Sequence, residues 1–463
     1  MDFKAFINEV AGRKDIGDVV YKKIIPAKSA SYGTLNKPLP KELNRALLEL
    51  GIEKLYTHQT EAIDKIREDK HTAVMTPTSS GKSFIYNIPV LESILNDNDS
   101  HALYLFPLKG LTQDQFQTFS ELGDSLELHN HSAIYDGDTS SYKRGKIRSE
   151  LPNVVFTNPD MLHLGILAFH EKWSAFFSNL KYVVIDELHT YRGVLGSHSA
   201  DLIRRLRRVC ELYGSKPVFI TCSATIANPK ELAETLTGVP FEIITGSGAP
   251  RGKKNFIFVN PIPEVSPYTA SVKLFLECIK HELKTIAFTK SRKITELLYK
   301  WAVRDEPSLT ERISTYRAGY LAEERREIEE ALFSDKLSGV ISTSALELGV
   351  DIGGLDACVL VGYPGTISST LQRAGRVGRS ENESIIFMVA IEDALDQHFM
   401  RRPEEFFRKS AEAAVLDEEN EYILKQHLNC AVSEIPLSIE KEDIFNIRTS
   451  KPLLDDLVLK RKI

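Results

Sequence analysis

From about residue 51 to 245 the chain alternates short apolar runs, each stopped by polar or turn residues, with longer amphipathic stretches. The runs are HTAVMTP, HALYLFP, NVVFTNP, YVVIDE and PVFITCSAT, and helical patterns lie between them. Alternation of this kind predicts βαβ units on a parallel sheet, where ligands bind outside the carboxyl ends of the strands. The pattern then resumes with KTIAFTK, ERISTYRAG, SGVISTSAL, ACVLVGYP and SIIFMVA. We therefore expect an α/β fold with two tandem parallel-sheet domains, at 51–245 and 265–405. The segment 246–264, opening on TGSGAPRGKKNF, reads as a linker; 1–50 reads as an N-terminal extension and 406–463 as a helical one. A length of 463 residues accommodates this plan, since domains run to roughly 100–200 residues.

Composition limits the class. Hydrophobic residues make up 42% and charged residues 26% of the chain, the balance of an ordinary globular protein. MDFKAFINEVAGRKD has no basic segment leading into an apolar core, and no run approaches the roughly 18 apolar residues of a membrane span. A cytoplasmic, membrane-free protein is the expectation. The five cysteines, Cys210, Cys222, Cys278, Cys358 and Cys430, form no C-x-x-C pair, which points to buried thiols rather than a disulfide framework or a complete zinc site. A net charge of −6 excludes a basic-coated surface but leaves room for a positive groove on an acidic body.

The first unusual residues follow HTAVM. In TPTSSGKSF, Gly81, Lys82 and Ser83 match the end of a phosphate-binding loop, whereas Thr76 stands where the general pattern has its first glycine. Phosphates need inward backbone N–H groups, a lysine for the β/γ oxygens and a hydroxyl for Mg2+. The run FIYNIPVL would carry the helix whose N-terminus faces them. The triplet alone is also compatible with a surface turn. Asp186 and Glu187, directly after the apolar strand of YVVIDELHTY, can be a helix cap. About a hundred residues after G-K-S, they read instead as a Mg2+ carboxylate and a base for the attacking water. Ser223 and Thr225 of CSAT end the next strand, where they could cap a helix or report the nucleotide state to the acidic motif. Gln59 in YTHQ offers an amide that can both donate to and accept from adenine.

In the second domain, LQRAGRVGRS spaces Arg373, Arg376 and Arg379 by three residues, and STSALELGVDIGGLD adds Thr343, Gly349 and Asp351. The arginines could form a solvated helix face or a phosphate-binding edge. Guanidinium groups supplied from a facing domain also stabilise charge on a transferring phosphoryl group, which predicts an active site between the two domains.

Taken in order, TPTSSGKS, FPLKGLTQDQ, TNPDMLH, DELH, SAT, AFTKSR, STYRAGY, STSALELGVDIGGLD and QRAGRVGR resemble the full motif set of a superfamily 2 helicase of the DExH type. The resemblance spans about residues 50 to 400 and implies two RecA-like domains, ATP and Mg2+ as cofactors, and a nucleic-acid strand bound across both domains. DELHTYRGVLGSHSADLIRRLRR, YDGDTS, GAPRGKKNFIFVNP, DALDQHFMRRPEEFF and YILKQHLNCAVSEIPL are similar to the MrfA/Hrq-type branch of 3′-to-5′ DNA repair helicases. By that resemblance, Lys82 and Ser83 bind phosphate and Mg2+, Thr78, Ser79, Ser80 and Gly81 shape the loop, and Asp186 and Glu187 hold Mg2+ and activate water. Arg376 and Arg379 act as arginine fingers, and Gln372 and Arg373 join Ser223 and Thr225 in coupling. Thr76 and Pro77 fit the helicase form of the loop, T-P-T-x-S-G-K-S, so the missing glycine sharpens the assignment.

A motor must grip phosphate and ribose without reading bases. Candidates are Pro107, Lys109, Thr157, Asn158 and Asp160 in the first domain, and Thr289, Ser291, Arg292, Arg317 and Thr343 in the second. SYKRGKIRSE and DLIRRLRRVC read either as solvated faces or as further contacts. Family members continue past the HLNCAVSEIPL region into a winged-helix module and a four-cysteine metal domain; here 406–463 would only open such a module. A separate partner protein supplying it is one expectation. The alternatives to a DNA motor are an RNA helicase, a duplex translocase subunit of a larger complex, or an ATP-gated clamp.

Overall fold

A computed structural model of the protein describes residues 3–317, 319–347, 354–378, 382–437, 444–445 and 447–459. Its strands, in chain order, are β1 (Asp18–Ile25), β2 (Thr72–Met75), β3 (His101–Leu105), β4 (Ser132–Ile134), β5 (Val154–Thr157), β6 (Leu180–Ile185) and β7 (Val218–Ser223). They continue with β8 (Glu242–Ile244), β9 (Lys254–Asn260), β10 (Thr285–Phe288), β11 (Ile313–Tyr316), β12 (Gly339–Ser342), β13 (Ala357–Val361) and β14 (Ser384–Val389). Two sheets form, ordered β4-β5-β3-β6-β7-β2-β8 and β1-β9-β14-β13-β10-β12-β11. Every pairing is parallel except β1 with β9. The α/β class of two helix-flanked parallel sheets is therefore as the alternation predicts.

The chain divides into two compact units. One comprises Tyr32–Thr76, Gly81–Gly248 and Ala413–Ile463; the other comprises Met1–Ser31, Pro77–Ser80 and Ala249–Glu412. Each sheet is buried on both faces, which is why its central strands are almost wholly apolar. In β6, Val183 and Ile185 join one core cluster, while Tyr182 and Val184 join the cluster on the opposite face. In β13 the same alternation sends Val359 to one side and Cys358 and Leu360 to the other.

Two stretches differ from the expected boundaries. Residues 254–260, placed in the linker, form β9, with Phe256, Ile257, Phe258 and Val259 buried. The apolar run NFIFV is masked in the sequence by the glycines, proline and lysines before it. The N-terminal stretch 1–50 is also divided between the units. Its first helix, Phe3–Ala11, buries Phe6, Ile7 and Val10 in the same cluster as Ile257 and Val259, and β1 pairs along β9 from Asp18↔Asn260 to Ile25↔Lys254. Gly17, entering β1 at φ +120, is required there, because a Cβ would lie 2.6 Å from the Asn260 carbonyl oxygen.

The helical extension folds onto the first sheet's unit. Helix Glu421–Glu434 lies against helix Gly193–Leu212, and Arg204, Arg205 and Arg208 of DLIRRLRRVC are buried, while Arg207 stays partly exposed. Arg205, with 1% of its side chain exposed, pairs with Glu434, its Nε donating to Oε2 at 3.0 Å. Its Nη1 donates to Nδ1 of His163 at 2.9 Å and of His427 at 3.2 Å. Arg208 Nη1 donates to the Ala431 carbonyl at 2.9 Å and Nη2 to that of Ile435 at 3.2 Å, supplying donors to the carbonyls at the helix C-terminus. Arg204 meets Glu418 at 3.3 Å. His427 accepts from Arg205 at one nitrogen and faces His198 Nδ1 at 3.1 Å with the other, the pattern of a neutral ring. Burial first, then the charges of Arg205, His198 and His163, push its pKa down from 6.5 to about 3. Leu424, Leu428, Ala431, Phe445, Leu454 and Leu457 give the extension a small core of its own.

Glu434→Ala should cost roughly 3–5 kcal/mol of stability, since it strands a buried guanidinium, whereas Arg205→Met combined with Glu434→Leu should cost far less. Urea unfolding of the two variants checks this. Because the His427 pKa is depressed in the folded state, a proton binds the unfolded chain more readily. Stability should fall as pH drops below about 6.5 and continue to fall toward about 3. The thermal midpoint of His427→Gln, followed over the same pH range, should show a shallower loss.

Candidate nucleotide and nucleic-acid site

In the first sheet, the candidate residues gather where its parallel strands end. After β2, the loop 76–82 turns into helix Ser83–Asn96. Ser79 adopts φ +58 and Gly81 φ +73, both left-handed. At Gly81 the left-handed φ disfavours any side chain, and a Cβ would lie 2.6 Å from Gln59 Nε2, displacing that amide, so glycine suits the turn. Gln59 is nearly buried, accepting from Tyr56 N–H at 2.8 Å and donating to the Gly81 carbonyl at 2.9 Å. Its amide thus supports the loop. Lys82 Nζ donates to the Thr76 carbonyl at 3.2 Å across the same turn, and Ser83 opens the helix. Thr78 and Ser80 complete the loop, with Ser80 buried.

Asp186 and Glu187 follow β6 and are both buried. Glu187 Oε2 has no hydrogen-bond partner among the described residues and lies 3.4 Å from His189 Nδ1. The residue is held at φ +52, an uncommon conformation for a non-glycine residue. Asp186 Oδ1 accepts from the Glu187 N–H at 2.8 Å and Oδ2 from the Tyr86 hydroxyl at 3.0 Å. Burial, followed by the Glu187 charge, raises the Asp186 pKa; Lys82 and the two hydrogen bonds oppose the rise. Two adjoining buried carboxylates with an orphaned oxygen suit a divalent cation and a water molecule. Among the described residues, no three His, Cys, Asp or Glu side chains cluster to hold a metal by themselves. Mg2+ bound jointly by one or two carboxylates and phosphate fits that donor set.

Ser223 ends β7; its carbonyl accepts from Thr76 N–H at 3.2 Å and its hydroxyl donates to the Ala224 carbonyl at 2.7 Å, while Thr225 is exposed. The strand-gripping candidates of this unit divide. Pro107 and exposed Lys109 follow β3, with Lys109 Nζ 2.7 Å from Asp138 Oδ1, and Asp160 is exposed after β5. Asn158 caps a short helix, accepting from Met161 N–H at 2.9 Å. Thr157 is fully buried, its hydroxyl donating to the Tyr135 carbonyl at 2.6 Å, so that hydroxyl faces the interior.

The second sheet repeats this placement. Thr289 follows β10 but is buried, 2.7 Å from the Thr295 hydroxyl. Ser291 caps helix Arg292–Asp305, accepting from Ile294 N–H at 3.3 Å, and Arg292 is exposed at its start. After β11, Arg317 Nε donates to Glu296 Oε1 at 2.9 Å, with its guanidinium 4.5 Å from the Tyr320 ring centroid. Thr343 follows β12 and accepts from Ala345 N–H at 3.4 Å.

Sequence reasoning missed Glu347, although it lies inside the quoted STSALELGVDIGGLD. Its Oε2 accepts from Arg373 Nε at 2.9 Å, its Oε1 from Ser369 at 2.6 Å and its carbonyl from Arg376 Nη2 at 2.7 Å. One residue therefore aligns both arginines, which are largely buried along with Gln372. Gly349, Asp351 and Arg379 lie outside the described residues.

Residues 56–232 match the DEAD/DEAH box helicase family and residues 269–381 the helicase conserved C-terminal domain. The chain is 46% identical to the uncharacterized ATP-dependent helicase YprA of Bacillus subtilis, over 96% of its own length and 60% of that relative's. It is 37% identical to the ATP-dependent helicase hrq1 of Schizosaccharomyces pombe, over 95% of its length and 43% of the relative's. Among solved structures, the DUF1998 helicase MrfA bound to DNA and AMPPNP superposes with a TM-score of 0.92 at 44% identity, covering 98% of this chain and 64% of that one. The chain thus spans at most about three fifths of these curated relatives. Lhr of Mycobacterium smegmatis, at 22% identity and a TM-score of 0.73, shares the fold. With both domains matched in order on two RecA-like sheets, the chain belongs to the superfamily 2 helicases and within them resembles the MrfA/Hrq-type branch.

Proposed function

We propose that this chain is an ATP-hydrolysing DNA motor, moving 3′ to 5′ on single-stranded DNA in the cytoplasm and serving DNA repair or genome defence. The buried Asp186–Glu187 pair carries the reading, because an orphaned carboxylate oxygen beside a second acid suits proton abstraction from water. DNA as the polymer is supported by the 43% identity to MrfA, whose structure was solved bound to DNA. No helix among the described residues is long and apolar enough to cross a membrane.

In this mechanism Lys82 and the loop amides orient the phosphates, while Ser83 and Asp186 hold Mg2+. Ser83 and Asp186 would hold the cation where it would supply positive charge to the phosphate oxygens. Glu187 takes the proton of the attacking water at Oε2, and Arg376 and Arg379 supply positive charge for the phosphoryl group. Ser223, Thr225, Gln372 and Arg373 transmit the outcome to the strand-gripping loops. Lys109 and Arg292 are exposed cations, which suits direct contact with the DNA phosphates, whereas the exposed Asp160 carboxylate would act by shaping its loop. Thr157 and Thr289 would act by shaping their loops, because both side chains are buried.

Lys82→Ala and Glu187→Gln should each lower DNA-stimulated ATP hydrolysis by about 100-fold or more while preserving the thermal unfolding transition. Normal turnover in either variant would defeat the assignment. Hydrolysis measured with single-stranded DNA, duplex DNA and RNA should rise most with single-stranded DNA, and strand displacement should require a 3′ tail. Stimulation by RNA alone would overturn the substrate, and unwinding only from 5′ tails would overturn the direction.

A further inference from the structure

Tyr86 is fully buried, one turn after Ser83 on helix Ser83–Asn96. Its hydroxyl lies 3.0 Å from Asp186 Oδ2 and 2.9 Å from Gln115 Oε1, and its ring sits edge-on to Tyr104 at 5.3 Å. A phenol carries its one proton at neutral pH, so the hydroxyl has a single hydrogen to donate.

That single proton cannot serve two acceptors. When Tyr86 donates to Asp186, Gln115 must turn its amide so that the NH2 group donates to the tyrosine oxygen. When Tyr86 donates to Gln115, Asp186 Oδ2 loses its donor. The orientation of the Gln115 amide and the hydrogen bonding of Asp186 are therefore linked through one hydroxyl. Gln115 stands on helix Lys109–Ser125, whose first residue is the exposed Lys109 of the FPLKG loop. A small rotation of that helix would move Gln115 relative to Tyr86.

We propose that Tyr86 is a positioning residue that relays the state of helix Lys109–Ser125, through Gln115, to the Asp186 carboxylate. The relay rests on the reading of Asp186 as the Mg2+ carboxylate. DNA drawn to the Lys109 loop would thereby bias Asp186 toward the orientation that accepts Mg2+. Asp186 Oδ1, held by the Glu187 N–H, acts as the pivot.

The test compares wild type with Tyr86→Phe and Gln115→Leu. Binding of a fluorescent ATP analogue is titrated with free Mg2+, and hydrolysis is measured with and without single-stranded DNA. Tyr86→Phe should raise the Mg2+ concentration for half-maximal binding by roughly tenfold, the effect of losing one hydrogen bond to a carboxylate. Both variants should lose most of the stimulation by DNA while binding single-stranded DNA as wild type does. Unchanged Mg2+ dependence in Tyr86→Phe, or full stimulation in Gln115→Leu, would overturn the relay. So would a thermal midpoint lowered in both variants with Mg2+ dependence and stimulation intact, the signature of a packing role alone. If wild-type protein itself bound the analogue without regard to Mg2+, the nucleotide site reading would fall, an outcome distinct from failure of the relay.

Discussion

A parallel sheet covered on both faces has nowhere to place polar chemistry except at the ends of its strands. Both sheets here obey that constraint, with apolar clusters above and below each. The backbone groups of the central strands are satisfied by their neighbours, and their side chains are committed to packing. What remains free to vary is the end of each strand and the loop after it, where Lys82, Asp186, Ser223, Arg317 and Thr343 stand.

Buried charge separates the structural from the functional parts. Arg205 and Glu434 are as deeply buried as any charged pair described, yet nitrogens and oxygens on both sides are matched, and neighbouring histidines accept the remaining donors. Glu347 likewise satisfies Arg373, Arg376 and Ser369. Asp186 and Glu187 do the opposite: like charges adjoin, and one oxygen has no hydrogen-bond partner among the described residues. An arrangement that is costly in isolation is sensible where a cation and a water molecule complete it.

The same contrast explains what could be read from the chain. The ten quoted apolar runs all become strands, because length, β-branched residues and sharp polar stops agree locally. β4 and β8, three residues each, carry too little signal, and β9 was hidden by the basic, glycine-rich segment before it. In DLIRRLRRVC the arginine spacing says only which residues share a helix face. What covers that face lies more than 200 residues away, at Glu434 and Ala431, and leaves no local mark. Motif residues were visible by type and order, whereas Tyr86, Gln115 and Glu347 matter through tertiary convergence. Thr157 and Thr289 show the converse, since a motif hydroxyl can be spent inside the fold.

The pairing of Arg205 with Glu434 also has a consequence in time. The two residues are 229 positions apart, so at ~5–20 residues per second a ribosome delivers the second roughly ten to fifty seconds after the first. During that interval the face of helix Gly193–Leu212 that carries Arg205 and Arg208 lacks its cover. The opening segment faces the mirror-image delay, since β1 must wait for β9 to be made. Each compact unit thus needs chain from a distant part of the sequence, a topology that favours slow, late consolidation over independent folding of each half as it emerges.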